Sequence, residues 1–290
     1  IEYELGASGG VPAVAVKIHY LHGSNEIRKI RKAADMEAAK VLIGVALEQY
    51  DPGVVILVGE YIPTDVAQIA EDYALRNPSA VMETPQVTAE VYPNTGEQRV
   101  LELKFTYQTS RDDLRQMRTQ VKPVFDAAAL YVSGDDVDMR KYSQLYAFLM
   151  ERFTDYQVKT SITPAYSLLR HGVGDSKTFA AVYAEMCRRA GMECQIVIGT
   201  RDGEPWCWNM VQIDGFYYHV DLLKSWGEGG FRKQTDSQMT DYVWDYSSYP
   251  TCIGAPPVTD SEETEPPTDP SGGDTIPEET VDPVDPASYE

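Results

Sequence analysis

The chain has 290 residues, 43% hydrophobic and 10% aromatic, and 45 acidic against 25 basic side chains give it a formal net charge of −20. That length and apolar content support a folded core and one or two domains, and the longest apolar run, residues 54–58, is far below the ~20 residues of a membrane-spanning helix. Eleven acidic residues and no Lys or Arg fall within 260–290, leaving about −9 on the remainder; with no basic cluster to offset it, this balance excludes a nucleic-acid backbone as partner.

In chain order, a helix is expected from a Ser24 or Asn25 cap to about Tyr50, with Ile27, Ile30, Met36, Val41 and Val45 facing inward and Asp51-Pro52-Gly53 ending it. Residues 54–58 read as a buried strand, and 64–75 as a helix opened by Thr64-Asp65. Residues 86–92 and 99–106 alternate apolar with polar around Pro93-Asn94-Thr95-Gly96-Glu97, which marks a hairpin. This first part, 1–108, reads as a mixed α/β domain without a catalytic constellation, and its His19 and His22 as structural residues near an apolar strand.

The second part, 109–255, opens with helical patterns at 112–132 and 139–153, the first kinked or divided by Pro123. The third, 256–290, is rich in proline and acid and reads as an extended tail or linker, a spacer toward a further module or a surface anchor. Cys187, Cys194, Cys207 and Cys252 fit either two disulfides, in any of three pairings, or buried thiols. No CxxC pair is present, so neither a metal nor a cofactor is expected.

The chemistry-bearing stretch begins at Leu168. Gly172-Val173-Gly174-Asp175-Ser176 leads into a helix from Lys177 to about Ala190, with Asp175 placed to cap it. Ser176 then lies in the first turn, where backbone N–H groups favour negative charge. After Gly191, a strand at 194–198 turns at Arg201-Asp202-Gly203. Strands at 206–211 and 216–221 follow, joined at Asp214-Gly215.

A nucleophile position on a helix N-terminus followed by paired strands resembles the transglutaminase-like (papain-like) superfamily, and the motifs agree in order and spacing. Phe179-Ala180, Ala190-Gly191-Met192-Glu193-Cys194, Trp206-Cys207-Trp208-Asn209-Met210-Val211 and Asp214-Gly215-Phe216-Tyr217-Tyr218-His219-Val220-Asp221 all match. Phe231, Trp244-Asp245 and Tyr249-Pro250-Thr251-Cys252 resemble the close of many bacterial members. The resemblance covers 109–255 and implies an α+β fold, a helix packed on an antiparallel sheet, preceded by the smaller mixed α/β domain.

Carried over position by position, the Cys-His-Asp triad of that family falls on Ser176, Trp206 and Asp221. Serine has no thiolate at neutral pH, and an indole is a donor that cannot act as base. The expectation is therefore a pseudoenzyme with no catalytic residues, exported or on the cell surface after removal of a signal peptide. It would bind a peptide, a protein or a cell-wall glycan in a cleft formed by Asp175, Ser176, Trp206, Trp208 and Asp221. The alternative is an active or mutationally inactivated transglutaminase or cysteine-protease-like enzyme acting on peptide amides through position 176. In that case His219, on the strand face of Asp221, would serve as a rescue base, and His171 is a looser candidate.

Overall fold

The computed structural model describes residues 2–17 and 23–255. The positions of His19 and His22 and the proline-rich segment 256–290 lie outside the described residues. Among the described residues no helix is long and apolar enough to cross a membrane.

Strands β1 (Glu2–Ser8) and β2 (Val11–Lys17) form an antiparallel hairpin turned at Gly9 and Gly10. All of its strand residues are exposed except Ala13.

The long helix expected up to Tyr50 is replaced by three elements: α1 (Ser24–Ile27), β3 (Arg31–Asp35) and α2 (Met36–Glu48). Two local facts overrule the helical pattern. Arg31, Lys32 and Ala33 pair in parallel with β4 (Gly53–Glu60), and Asp35 caps a new helix by accepting from Ala38 N at 2.8 Å. The inward stripe is correspondingly different. Met36, Ala39, Ile43 and Leu47 are buried at helical spacing, whereas Ile27 and Val41 are exposed and Ile30 and Val45 half-buried.

Helix α3 (Val66–Arg76) starts at Asp65, whose carboxylate accepts from Ala67 N and Gln68 N. The hairpin of β5 (Gln86–Tyr92) and β6 (Arg99–Thr106) forms where the alternation places it, and the four strands order as β3-β4-β6-β5. Val54, Ile56 and Val58 of β4 and Leu101, Leu103 and Phe105 of β6 pack with α2 and α3 in one core.

A second core gathers around α7 (Ser176–Arg189), which is buried at Ser176 and from Thr178 to Cys187. Around it lie α4 (Arg111–Tyr131), α5 (Asp138–Met150), α6 (Pro164–His171) and α8 (Leu222–Gly227). Pro123 lies inside α4 without dividing it. Proline removes one backbone bond, and burial of Val121 and Phe125 on either side holds the helix together.

Against the other side of α7 stands an antiparallel sheet ordered β11-β10-β9-β12. Its strands are β9 (Cys194–Arg201), β10 (Glu204–Ile213), β11 (Phe216–Val220) and β12 (Tyr242–Trp244). A short parallel pair, β7 (Asp155–Tyr156) with β8 (Val173–Gly174), leads into α7. The α+β architecture, a buried helix on an antiparallel sheet, is the one the motifs imply.

The two cores meet at α7. Tyr50 and Met82 pack in the second core, and Ser79 donates to the fully buried Glu185 at 2.5 Å. Arg189 (2.7 Å) and Arg188 hold the same carboxylate. Glu83, also buried, accepts from the backbone N–H groups of Gln108 and Thr109 at the entry to α4.

Candidate functional site

The approach to Ser176 is dictated by glycine and a cap. Gly172 ends α6 at φ 72°, and a Cβ there would run into the Arg152 carbonyl, so the turn requires glycine. Asp175 caps α7, accepting from Thr178 N at 2.9 Å, from the Thr178 hydroxyl and from Thr160 Oγ1. Ser176 is thereby fixed in the first turn of a buried helix at 7% exposure.

Its Oγ accepts a hydrogen bond from Cys207 N at 3.2 Å. Among the described residues, no imidazole or carboxylate is hydrogen-bonded to that hydroxyl. The recess beside it, lined by Phe179, Ala180, Cys207, Asn209, Asp221 and Leu222 among others, leaves no room for a water molecule. Cys207 shares the recess, but burial pushes its thiol up to about 11, with Asp175 adding to the rise and Lys177 opposing it. It is a poor nucleophile at neutral pH.

Asp221 is the electrostatic centre. Only 3% exposed, it accepts from Trp206 Nε1 at 2.8 Å and Tyr242 Oη at 2.7 Å on Oδ2, with Arg201 Nη1 at 3.5 Å. On Oδ1 it accepts from Leu223 N and Lys224 N at 3.0 Å each, as the N-cap of α8. The buried charge is thus satisfied by two side-chain donors, an arginine and a helix N-terminus. Tyr242 shows the other side of the relation: burial and Asp221 both hold its phenol far above the ordinary value.

The indole of Trp206 makes the bond to Asp221 that an imidazole N–H makes in a triad, and it has no second ring nitrogen to act as base. Its ring packs against Tyr156 at 5.8 Å, with the Arg201 guanidinium 5.3 Å from its centroid. Arg201 and Tyr242 join the site without a sequence signal that points to them. Arg201 looked like a turn residue, and Tyr242 belongs to β12, a strand of only three residues.

Of the five residues expected to line a cleft, Asp175, Ser176, Trp208 and Asp221 are buried and Trp206 is half-buried. Trp208 is 1% exposed and packs at 5.0 Å against Tyr242 and at 5.7 Å against Trp244. Gly199, paired with Trp206, has no room for a Cβ because the Val243 carbonyl and the Trp208 ring occupy that space.

His219 is fully buried and engaged on both nitrogens, by Trp208 Nε1 at 2.9 Å on Nδ1 and by Asp236 Oδ1 at 2.8 Å on Nε2. Among the described residues no hydrogen bond joins it to Ser176. His171 ends α6, exposed, with its ring 5.6 Å from Tyr166. The four cysteines are free thiols.

His219, Asp236 and Cys252 bring three metal-ligating atoms within 4.8 Å of one another. Their proton inventory opposes a metal. Trp208 N–H is a donor only, so Nδ1 carries no hydrogen and Nε2 must carry the proton it gives to Asp236. A metal on Nε2 would displace that proton and require an imidazolate. Burial, with Asp236 adding to it, also pushes the Cys252 thiol up to about 12. Instead, Asp236 bridges strand and loop, accepting from Cys252 N at 3.1 Å and donating its own N–H to the Cys252 carbonyl at 2.8 Å.

Residues 126–222 match the model of the transglutaminase-like superfamily, and the chain carries a transglutaminase-like domain there. Among solved structures, it is similar to a TGase at 9% identity and TM-score 0.31, over 67% of this chain and 58% of that one. It is also similar to a candidate cysteine protease from Cytophaga hutchinsonii at 11% identity and TM-score 0.31, over 51% of this chain and 65% of that one. A candidate protease from Parabacteroides distasonis matches at 12% identity and TM-score 0.28, over 59% of this chain and 43% of that one. The chain therefore spans 43% to 65% of the lengths of these structures. No curated protein matches.

Proposed function

We propose that this transglutaminase-like chain is a catalytically silent binding or assembly module, exported from a bacterium and displayed at the cell surface. The observation that carries the reading is the 2.8 Å bond from Trp206 Nε1 to Asp221. It occupies the carboxylate that would orient a base, and among the described residues Ser176 has a hydroxyl with no proton acceptor bonded to it. The helix dipole contributes on the order of 1 kcal/mol, far too little to ionise a serine. The acidic proline-rich segment fits a spacer to a surface, and the Tyr156–Trp206 pair offers aromatic faces suited to a peptide, a protein or a cell-wall glycan.

The test is restoration. Ser176→Cys with Trp206→His should produce a thiol that alkylates rapidly near neutral pH and, with Asp221 in place, hydrolyses or transfers model peptide amides. The parent chain should do neither. Amidase or transamidase turnover by the parent, lost on Ser176→Ala, would reject the proposal in favour of an active serine variant.

A further inference from the structure

A second hollow lies on a different face of α7, where that helix meets α3, and its volume is about 250 Å³. It exists because the facing positions are small. Ala74 of α3, Ala165 of α6 and Ala181 of α7 are all buried there, and three methyl groups cannot fill the space between helices that longer side chains would close. Val81 and Val182 complete an apolar floor. The rim differs in kind. Glu71 stands on the α3 wall and Lys177 on the α7 wall, both exposed, and neither makes an ion pair among the described residues. Thr84 and Ser161 add hydroxyls.

We propose that this hollow binds a free aliphatic α-amino acid: carboxylate on Lys177, ammonium on Glu71, side chain on the alanine floor. Each group of such a ligand answers one feature of the site. A fatty acid would leave Glu71 facing a carboxylate or an empty rim, and an alkylamine would do the same to Lys177. Only a zwitterion with an apolar branch satisfies both charges and the floor together. The volume lies just under the ~300–1,000 Å³ of pockets for drug-sized molecules, which suits a ligand of amino-acid size. Both rim side chains are long, exposed and carried by different helices, so their charged heads are free to swing toward a ligand in the hollow. One wall is tied to the first turn of α7, since Thr160 of the lining donates to the Asp175 cap. The proposal is independent of whether Ser176 is silent.

The experiment titrates the full chain with leucine and with two analogues that each lack one charge, 4-methylpentanoate and isoamylamine, followed by NMR of the labelled protein. Leucine should saturate in the millimolar range or tighter, and each analogue should bind at least tenfold more weakly. Lys177→Met should abolish the preference for leucine over isoamylamine, and Glu71→Gln the preference for leucine over 4-methylpentanoate. Ala74→Leu should block all three ligands. If that variant misfolds, the two exposed rim substitutions still decide the matter. Absence of saturable leucine binding would overturn the proposal, as would preferences that persist in both rim variants.

Discussion

Trp208 donates its indole hydrogen to Nδ1 of His219 at 2.9 Å, and this single bond fixes both the tautomer and the charge of the histidine. A protonated ring would point two N–H groups at each other. Burial lowers the pKa of His219 below the ordinary value despite the opposing pull of Asp236. The Trp208 donor acts in the same direction as burial.

The pH dependence follows in sign. A histidine with a lowered folded pKa binds its proton more readily when unfolded, so its contribution to stability is full above the unfolded value of about 6.5. It is lost as pH falls through the folded value. Urea midpoints measured from pH 7.5 to 4.5 should therefore fall more steeply for the parent than for His219→Gln, which retains a donor and an acceptor without titrating. Equal slopes would refute the assignment.

Removing the indole donor from Asp221 should be costly. Trp206→Phe keeps an aromatic ring and deletes the N–H, leaving a buried carboxylate one donor short, for an expected loss of about 1–3 kcal/mol. Combining it with Asp221→Asn should give a clearly non-additive double-mutant cycle in chemical denaturation. Additivity would mean the bond contributes nothing.

Glu185 joins the two cores through Ser79, Arg188 and Arg189 while fully buried. Glu185→Ala removes the shared acceptor of Ser79, Arg188 and Arg189, of which Arg188 is free to turn to water and Arg189 keeps Asp126 at 2.7 Å, and should destabilise the fold by about 2–3 kcal/mol. Ser79→Ala removes one neutral donor and should cost about 1–2 kcal/mol. Calorimetry of the two variants checks the order, and a reversed order would sink this account of the junction.

Thiol reactivity should divide the cysteines. Cys207 and Cys252, with thiols held up to about 11 and about 12, should alkylate far more slowly at pH 8 than in denaturant. Cys194, half-buried, should react first in the folded chain. Mass spectrometry of timed iodoacetamide reactions reads this directly, and rapid labelling of Cys207 in the native chain would contradict it.

Much of the architecture around Ser176 was legible because local signals and tertiary demands agree there. Asp175 is a capping residue before an apolar helical run, and Asp202-Gly203 and Asp214-Gly215 are tight turns with positive φ at both residues. Legibility failed where pairing with a distant strand outweighed propensity. Residues 31–35 carry a helix-compatible composition and become β3 because β4 supplies backbone partners more than twenty positions later. Sequence patterns place the candidate site's residues along the chain but do not encode their contacts. That Trp206 would face Asp221 is a matter of strand register and follows from family spacing. That Arg201 and Tyr242 would converge on the same carboxylate depends on a loop closing back across the sheet, and no local pattern encodes it.

Asp221 begins α8 as well as anchoring the Trp206 indole, Tyr242 and Arg201. A residue with that many architectural duties would be retained by selection for folding long after any selection for turnover had ended. An aspartate at 221 is therefore explained by folding alone and is by itself a poor marker of activity. Positions 176 and 206 carry no such side-chain capping duty, so their identities report on chemistry more directly than the identity of 221 does.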